Sequence, residues 1–263
     1  MTTIDASMRS LEIQGTTVPK LGFGTWQITG RECEEAVRDA LEIGYRHIDT
    51  ARMYGNEADV GRGLAASGVE RSEIFLTTKI WPGDFEPARL RAATEDSLRS
   101  LDTEYVDLLL LHWPSDKLVL EDTLGAMVAL CEEGKIRQLG VSNFFGDLLG
   151  EALDLAPVFA DQVEFHPFLG QADVIELALQ RDFMVTAYSP LAQGKVARDR
   201  TLREIADAHG KSPGQVALRW LLDQPNVSVI PKASSHERRA ENFQVFDFEL
   251  TGEERARIDA LRM

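Results

Sequence analysis

The sequence predicts an α/β fold, a single closed (β/α)8 TIM barrel that occupies residues 1–263 as one domain. From residue 21 onward, eight short apolar or β-branched segments alternate with amphipathic helical segments. Strands that are apolar on both faces and joined by helices pair in parallel. Eight such units in 263 residues favour a closed barrel over an open sheet.

The elements follow one another in a regular order. Residues 11–20 hold a glycine-centred turn between two β-prone pieces, which predicts an N-terminal β-hairpin. The eight predicted strands are residues 21–25, 46–50, 74–79, 105–112, 137–142, 160–165, 184–188 and 227–231. Apolar residues at helical spacing predict helices between them, as at Cys33, Ala36, Val37, Ala40 and Leu41, at Leu124, Met127, Val128 and Cys131, and at Leu202, Ile205 and Ala206. Two extra helices, near 236–246 and 251–261, precede a short C-terminal tail.

The charge and cysteine content exclude several classes of function. The chain has 28 Lys and Arg residues against 43 Asp and Glu residues, a net charge of -15, which repels nucleic acid and anionic membranes. Cys33 and Cys131 match no metal or redox spacing, so we interpret them as reduced packing residues. Without a signal peptide or an apolar run of about 20 residues, the chain is expected to be cytoplasmic. We also expect a monomer.

Polar residues stand at or just past the ends of the predicted strands, where barrel enzymes carry their active sites. They are Asp49, Lys79, His112, Ser142, Asn143, Gln162, Glu164 and Lys232. Three tryptophans, Trp26, Trp81 and Trp113, follow strands one, three and four, and Tyr188 ends strand seven. Lys and Asp are costly in a half-buried ring unless they are paired, so this ring predicts a functional site.

Three of these positions, Asp49, Lys79 and His112, together with Tyr54 predict proton transfer to a substrate oxygen. Tyr54 follows the strand that ends near Asp49, and a free phenol has a pKa of about 10, too high to release its proton readily. We expect the Lys79 ammonium to lower that pKa, Asp49 to hold the lysine charged, and His112 to orient the substrate. This set protonates a developing alkoxide, which fits carbonyl reduction with an external hydride donor.

The segment of residues 230–242 predicts a phosphate site. It carries Lys232, Ser234, Ser235, Arg238 and Arg239 beside a predicted helix start. Cations, hydroxyls and helix-start amides suit a phosphate, although the same residues could form the basic face of a solvated helix.

Three other residues suit a nicotinamide group. Tyr188 offers a flat ring for stacking, unless it is a core tyrosine, and Asn143 and Gln162 have the donor and acceptor atoms that a carboxamide needs.

Two patterns suggest other sites. Residues 61–65 spell GxGxxA, but within a predicted helix rather than between a strand and a helix, so they do not predict a dinucleotide site. A metal site would use His47 with Asp49 and Glu164 with His166, completed by His112. Lys79 in the same ring disfavours a divalent ion, and a core position for His47 is the simpler interpretation.

Seven stretches together resemble the aldo-keto reductase family, and most closely its bacterial 2,5-diketogluconate reductase-like members. They are residues 44–61, 77–81, 110–114, 140–144, 162–167, 189–195 and 230–242. The resemblance runs in chain order from about Leu11 to the last helix and therefore implies NADPH-dependent reduction of aldehydes or ketones.

The resemblance also implies roles for individual residues. Tyr54 would be the general acid, with Lys79 and Asp49 as its partners and His112 orienting the substrate. The cofactor NADP(H) would contact Ser142, Asn143, Gln162, Tyr188, Ser189, Leu191, Gln193, Lys232, Ser234, Ser235, Arg238, Glu241 and Asn242. Trp26, Trp81 and Trp113 would wall the pocket for a small carbonyl substrate.

The chain departs from the family pattern at a few points. Ala233 stands where relatives carry a serine near the 2′-phosphate, which predicts a weaker preference for NADP. Asp161 replaces the usual asparagine before Gln162. A short loop, residues 115–119, and a chain end at Met263 predict an open substrate pocket. The alternative functions are a non-catalytic NADP(H)-binding redox sensor and a metal-dependent barrel hydrolase.

Overall fold

The structure is a computed structural model that describes residues 9–262. The chain begins with an antiparallel hairpin of β1 (Ser10–Ile13) and β2 (Thr16–Pro19), in which Leu11 lies opposite Val18. This confirms the predicted hairpin. Its turn uses Gln14 and Gly15, both in the left-handed region (φ 47° and 74°), and the Gln14 side chain ties the turn to the barrel by donating to the Val158 carbonyl at 3.1 Å.

The eight predicted strands are present and form one parallel sheet. They are β3 (Phe23–Gly24), β4 (His47–Asp49), β5 (Phe75–Ile80), β6 (Val106–Leu111), β7 (Ile136–Ser142), β8 (Val158–Glu164), β9 (Met184–Tyr188) and β10 (Val227–Val229). Each strand pairs with its neighbour in sequence. The first and last are joined by a parallel bridge between Leu21 and Val229, where the Gly22 amide donates to the Val229 carbonyl at 2.8 Å. The sheet therefore closes, as a (β/α)8 barrel requires.

Helices cover the outside of the sheet. They are α1 (Gly30–Ile43), α2 (Glu57–Ser67), α3 (Pro87–Leu101), α4 (Leu120–Glu132), α5 (Gly146–Leu155), α6 (Ala172–Arg181), α7 (Arg200–His209), α8 (Pro213–Leu222), α9 (His236–Phe243) and α10 (Gly252–Asp259). The two predicted extra helices correspond to α9 and α10. Helix α8, which the sequence analysis did not identify, begins with a capping box between Ser212 and Gln215.

The glycines of residues 61–65 lie inside α2 and serve helix packing. A side chain at Gly61 would approach the Leu101 carbonyl oxygen to 2.6 Å, and one at Gly63 would approach the Glu34 carbonyl oxygen to 2.7 Å. Only glycine allows α2 to pack this closely on α1 and α3. The GxGxxA pattern therefore has a structural cause in this chain.

The core has two layers, and their arrangement determines which end of the barrel is open. The larger layer lies between sheet and helices and includes Val37, Leu109 and Trp220. A smaller cluster fills the barrel interior, where the hairpin side chains Leu11, Ile13 and Val18 pack with inward residues such as Phe75, Leu108 and Phe159. The hairpin thereby closes the N-terminal end, which leaves the carboxyl ends of the strands for a site.

Two further expectations concern the cysteines and the absence of a membrane-spanning segment. Cys33 on α1 and Cys131 on α4 are free thiols, and burial raises their pKa values to about 12 and about 11. Among residues 9–262, no helix is both long and apolar enough to cross a membrane. A cytoplasmic location and a monomeric state stay predictions.

Candidate active site

A cavity of about 440 Å³ lies at the carboxyl ends of the strands. Its walls include many residues that the sequence singled out: Trp26, Asp49, Tyr54, Trp81, His112, Trp113, Ser142, Asn143, Gln162, Tyr188, Ser189, Gln193 and Lys232. Met53, Pro190 and Ile230 also line it and were not predicted. Met53 precedes Tyr54 on the same turn, but nothing in its sequence context shows which way its side chain points.

A buried ion pair lies at the bottom of this cavity. Asp49, which lines the cavity, is the last residue of β4, and Lys79, which does not line it, is the penultimate residue of the neighbouring β5. Lys79 Nζ donates to Asp49 Oδ1 at 2.5 Å and to the Thr50 carbonyl at 2.8 Å. The other Asp49 oxygen accepts from Gln162 Nε2 at 2.8 Å. Burial lowers the pKa of Lys79, but Asp49 and Tyr54 together more than offset burial and hold that pKa above its usual value. The lysine is therefore a fixed cation, satisfied by its partners.

Tyr54 is placed above this pair by a short 3₁₀ turn, Arg52–Tyr54, which ends at Gly55 in the left-handed region (φ 66°). The Tyr54 hydroxyl lies 3.5 Å from Lys79 Nζ, which is long for a hydrogen bond. Burial raises the pKa of Tyr54 and the Lys79 ammonium only partly reverses the rise. Lys79 therefore acts on this pKa in the expected direction, but burial outweighs it and the net shift is upward. Tyr54 holds its proton as a phenol.

His112 follows β6 and stands beside Tyr54. The two ring centres are 5.7 Å apart in an edge-to-face contact, and the Trp81 ring centre lies 5.3 Å from the imidazole on another side. Burial, together with the Lys79 charge, lowers the pKa of His112 to about 3. The imidazole is therefore neutral and carries one N–H, which suits a hydrogen-bond donor to a substrate oxygen better than an acid.

The predicted carboxamide contacts form one hydrogen-bonded chain. Tyr188 donates its hydroxyl to Asn143 Oδ1 at 2.9 Å, Asn143 Nδ2 donates to Ser142 Oγ at 3.1 Å, and Ser142 Oγ donates to the Gln162 carbonyl at 2.7 Å. Asn143 has a left-handed backbone (φ 62°), which turns the chain sharply after β7. Tyr188 is half-buried with its ring at the cavity wall, and burial raises its pKa to about 12.

A second cavity of about 590 Å³ continues from the first, with which it shares Trp26, Ser189, Pro190, Gln193 and Lys232. Leu191, Arg238, Glu241 and Asn242, all predicted contacts, line it as well. The start of α8 adds Ser212, Pro213 and Gly214, which the sequence analysis missed although the S-P-G-Q capping sequence marks a helix start there. The two cavities form one elongated crevice.

The basic segment divides into two groups. Lys232 and Arg238 line the crevice and form no ion pair within residues 9–262. Lys232 Nζ donates to Ser234 Oγ at 2.7 Å, and Ser235 caps the start of α9. Ser234 and Ser235 lie beside the crevice and are not among the residues that line its two cavities.

Arg239, which the sequence groups with these cations, points into the protein instead. Its Nε donates to Asp39 Oδ2 on α1 at 2.6 Å, and its NH1 donates to the carbonyls of Ala233 and Ser234 at 3.0 and 2.8 Å. Arg239 therefore stabilises the backbone of residues 233–234 from the protein interior and is not available to a ligand in the crevice.

Two of the residues proposed for a metal site, Asp49 and His47, have other partners. Both oxygens of Asp49 accept from Lys79 and Gln162. The His47 ring lies in the core, 3.4 Å from the Pro19 carbonyl and 3.4 Å from Thr77 Oγ1, and burial lowers its pKa to about 4. Residues 9–262 contain no group of three His, Cys, Asp or Glu side chains arranged to hold a metal ion.

Comparisons with known proteins agree with this geometry. Residues 20–263 match the model of the aldo/keto reductase family. The chain is 44% identical over 250 residues to a 9,11-endoperoxide prostaglandin H2 reductase of Trypanosoma cruzi (93% of this chain, 88% of the relative) and 43% identical over 250 residues to a glyoxal reductase of Bacillus subtilis (94% and 90%). A crystal structure of a candidate 2,5-diketo-D-gluconic acid reductase B is 42% identical and superposes with a TM-score of 0.95 over 97% of this chain and 92% of that one.

Proposed function

Because the chain belongs to the aldo/keto reductase family, we propose that it reduces aldehydes and ketones to alcohols with NADPH as the hydride donor. Aldo/keto reductases are oxidoreductases that act on carbonyl compounds and use nicotinamide cofactors. The observation that carries the proposal for this chain is the buried Lys79, held between Asp49 and Tyr54 at the bottom of a cavity with tryptophan walls.

The crevice fits an extended dinucleotide with a phosphate at one end. Lys232 and Arg238 are crevice cations in a chain of net charge -15, and with Ser234 and Ser235 they would hold the 2′-phosphate. Glu241 and Asn242 would contact the adenine, and Ser189, Leu191 and Gln193 the pyrophosphate. Ser142, Asn143 and Gln162 would hold the carboxamide, with the ring on Tyr188. When bound there, NADPH would supply the hydride.

Tyr54 would donate its proton to the substrate oxygen as charge develops on it. The phenol is protonated at neutral pH, since burial holds its pKa above the usual value. Lys79, fixed by Asp49, would stabilise the phenolate that remains after the transfer, because an ammonium close to it favours the charged form. His112, neutral at this pH, would donate a hydrogen bond to the same oxygen and orient the carbonyl.

The cavity wall favours apolar and planar carbonyl compounds. Trp26, Trp81 and Trp113 are 39–47% exposed, and Met53 at 59% stands beside them. Exposed aromatic faces grouped at a cavity mouth are characteristic of a binding surface. The glyoxal reductase among the relatives indicates that small dicarbonyls belong in the panel of test substrates.

Kinetics of the purified protein test the proposal. We expect turnover with NADPH and activated aldehydes, and a loss of about 10³-fold in kcat for Tyr54→Phe, since general acid catalysis contributes about 10²–10⁴-fold. The control is Tyr105→Phe, because Tyr105 lies away from the crevice between Arg71 and Arg137. Full activity of Tyr54→Phe would refute the assignment. NADPH binding without any turnover would instead favour the redox-sensing module.

A further inference from the structure

Asp161 is a buried acid that the proposed reaction does not use. It lies on β8 directly before Gln162, is 0% exposed, and is flanked in the sheet by Val141 of β7 and Val185 of β9. Neither of its carboxyl oxygens makes a hydrogen bond of normal geometry to any of residues 9–262. A buried carboxylate without donors is costly, so a group in this position is expected to be neutral.

The surroundings of Asp161 favour its protonated, neutral form. Burial raises the pKa of Asp161 to about 8, and the backbone N–H groups of Phe144 and Asn143 are close enough to oppose that rise only in part. No charged side chain on the neighbouring strands contributes to the shift. Tyr188 on β9 is the titratable group that senses the Asp161 charge, and its own pKa, raised by burial, is about 12.

The two backbone amides nearest to Asp161 belong to the turn that carries the carboxamide contacts. Asn143, at φ 62°, donates its amide to the Gln162 carbonyl at 3.0 Å, while its side chain bonds Tyr188 and Ser142 on the crevice side. The turn is thus sandwiched between the buried acid and the nicotinamide end of the crevice.

We infer that Asp161 is a positioning residue: as a neutral carboxylic acid it leaves the turn at Asn143 and Phe144 in place, and loss of its proton displaces that turn and weakens binding of the nicotinamide end of the cofactor. The inference rests on the proposed function. An ionised carboxylate needs hydrogen-bond donors, and the nearest are the amides of the turn. The Asn143 amide would have to leave the Gln162 carbonyl to reach it, which displaces the Asn143 side chain from Tyr188 and Ser142.

Ionisation of Asp161 should change the Kd for NADPH by a defined factor. If only the protonated form binds NADPH tightly, the apparent Kd rises as the protonated fraction falls, by about tenfold between pH 7 and pH 9. Asp161→Asn keeps the size and shape of the side chain but cannot ionise, so its Kd stays constant over this range. Adenosine 2′,5′-bisphosphate lacks the nicotinamide, so its Kd does not depend on Asp161.

Calorimetric titration of NADPH and of adenosine 2′,5′-bisphosphate at pH 7, 8 and 9 tests this. The proteins are the wild type, Asp161→Asn, and the matched control Asp147→Asn, an exposed acid on the first turn of α5. Infrared spectroscopy adds a direct readout, since the carbonyl band of a protonated acid should be present at pH 7, fade through pH 8, and be missing from Asp161→Asn alone.

The outcomes separate the inference from the proposed function. Tight NADPH binding that does not weaken with pH overturns the inference only, as does a rise in Kd that is equally large in Asp161→Asn. A protein that binds no NADPH at any pH overturns both. A tenfold rise that is confined to NADPH, shared by Asp147→Asn and removed in Asp161→Asn supports the inference.

Discussion

Two lysines show how differently the same cation is used in one crevice: Lys79 lies beneath its buried end, and Lys232, which lines both cavities, lies towards its exposed end. Lys79 is 0% exposed and donates to Asp49 and Thr50, whereas Lys232 is exposed and touches only a serine hydroxyl within residues 9–262. Removing a charge from water is costly and is tolerated only with fixed partners. An exposed charge stays hydrated, interacts weakly, and is screened by salt. The buried end is therefore suited to chemistry, and the exposed end to binding.

The difference extends to what each end does before a ligand arrives. At the buried end, the phenol, the ammonium and the imidazole already have the protonation states that carbonyl reduction needs. At the exposed end, Lys232 and Arg238 line the crevice as solvent-exposed cations that could bind an anion. Substitutions at the buried end should thus change rate and stability together, while those at the exposed end should change affinity alone.

Lys79→Met is the substitution with the largest expected effect. It leaves Asp49 buried without its cation, and breaking a buried pair in this way costs about 3–5 kcal/mol of unfolding free energy. It also removes the group that would stabilise the Tyr54 phenolate, so we expect kcat to fall by about 100-fold. Chemical denaturation and steady-state kinetics measure the two effects. Lys135→Met, which removes a surface ion pair with Glu95, is the control. It should change the unfolding free energy by no more than about 0.5 kcal/mol and leave kcat the same.

Lys232→Met should act on affinity instead. A hydrogen bond to a charged group contributes about 1.5–3 kcal/mol. Loss of the proposed contact between Lys232 and the 2′-phosphate should therefore raise the KM for NADPH by at least about tenfold. The kcat, the KM for NADH and the unfolding free energy should stay the same. The salt dependence of NADPH binding should also become shallower than in the wild type. Lys117→Met, an exposed lysine of the loop after β6, provides the control. A fall in kcat would show that the two ends are not separable.

The residues of the buried end could be predicted from the sequence, whereas those of the exposed end could be predicted only in part. Lys and Asp at strand ends are too costly to be accidental, so Asp49 and Lys79 could be identified, and strand pairing brought them together. Arg238 and Arg239 differ by one residue, or about 100° around a helix, and it is Arg239 that turns inward to its partner Asp39. That partner is 200 residues away in the sequence. The net direction of the Tyr54 pKa shift likewise depends on burial, which the sequence does not display.

Ala233→Ser is a smaller change at the exposed end. Ala233 lines the crevice beside Lys232, and Arg239 holds its carbonyl at 3.0 Å, so an added hydroxyl has a fixed position. One further hydrogen bond of about 0.5–1 kcal/mol should tighten NADPH binding about threefold and leave NADH binding unchanged. Paired titrations of the two cofactors measure this. Ala197→Ser, an exposed residue of the same cavity, is the control, and an equal gain for NADH would contradict the assignment of the 2′-phosphate to this segment.

The pH profile of kcat should show the smallest effect of all, less than about a twofold change between pH 6 and pH 9 at saturating NADPH. The proposed mechanism needs a protonated Tyr54 and a protonated Lys79, and both have pKa values above their usual ones, so each loses its proton only as pH rises beyond this range. His112, with a pKa of about 3, stays neutral throughout. Saturation with NADPH keeps any change in cofactor affinity out of kcat. A midpoint near pH 7 would mean that a group other than these three controls the reaction, and that the buried end is not fixed in advance.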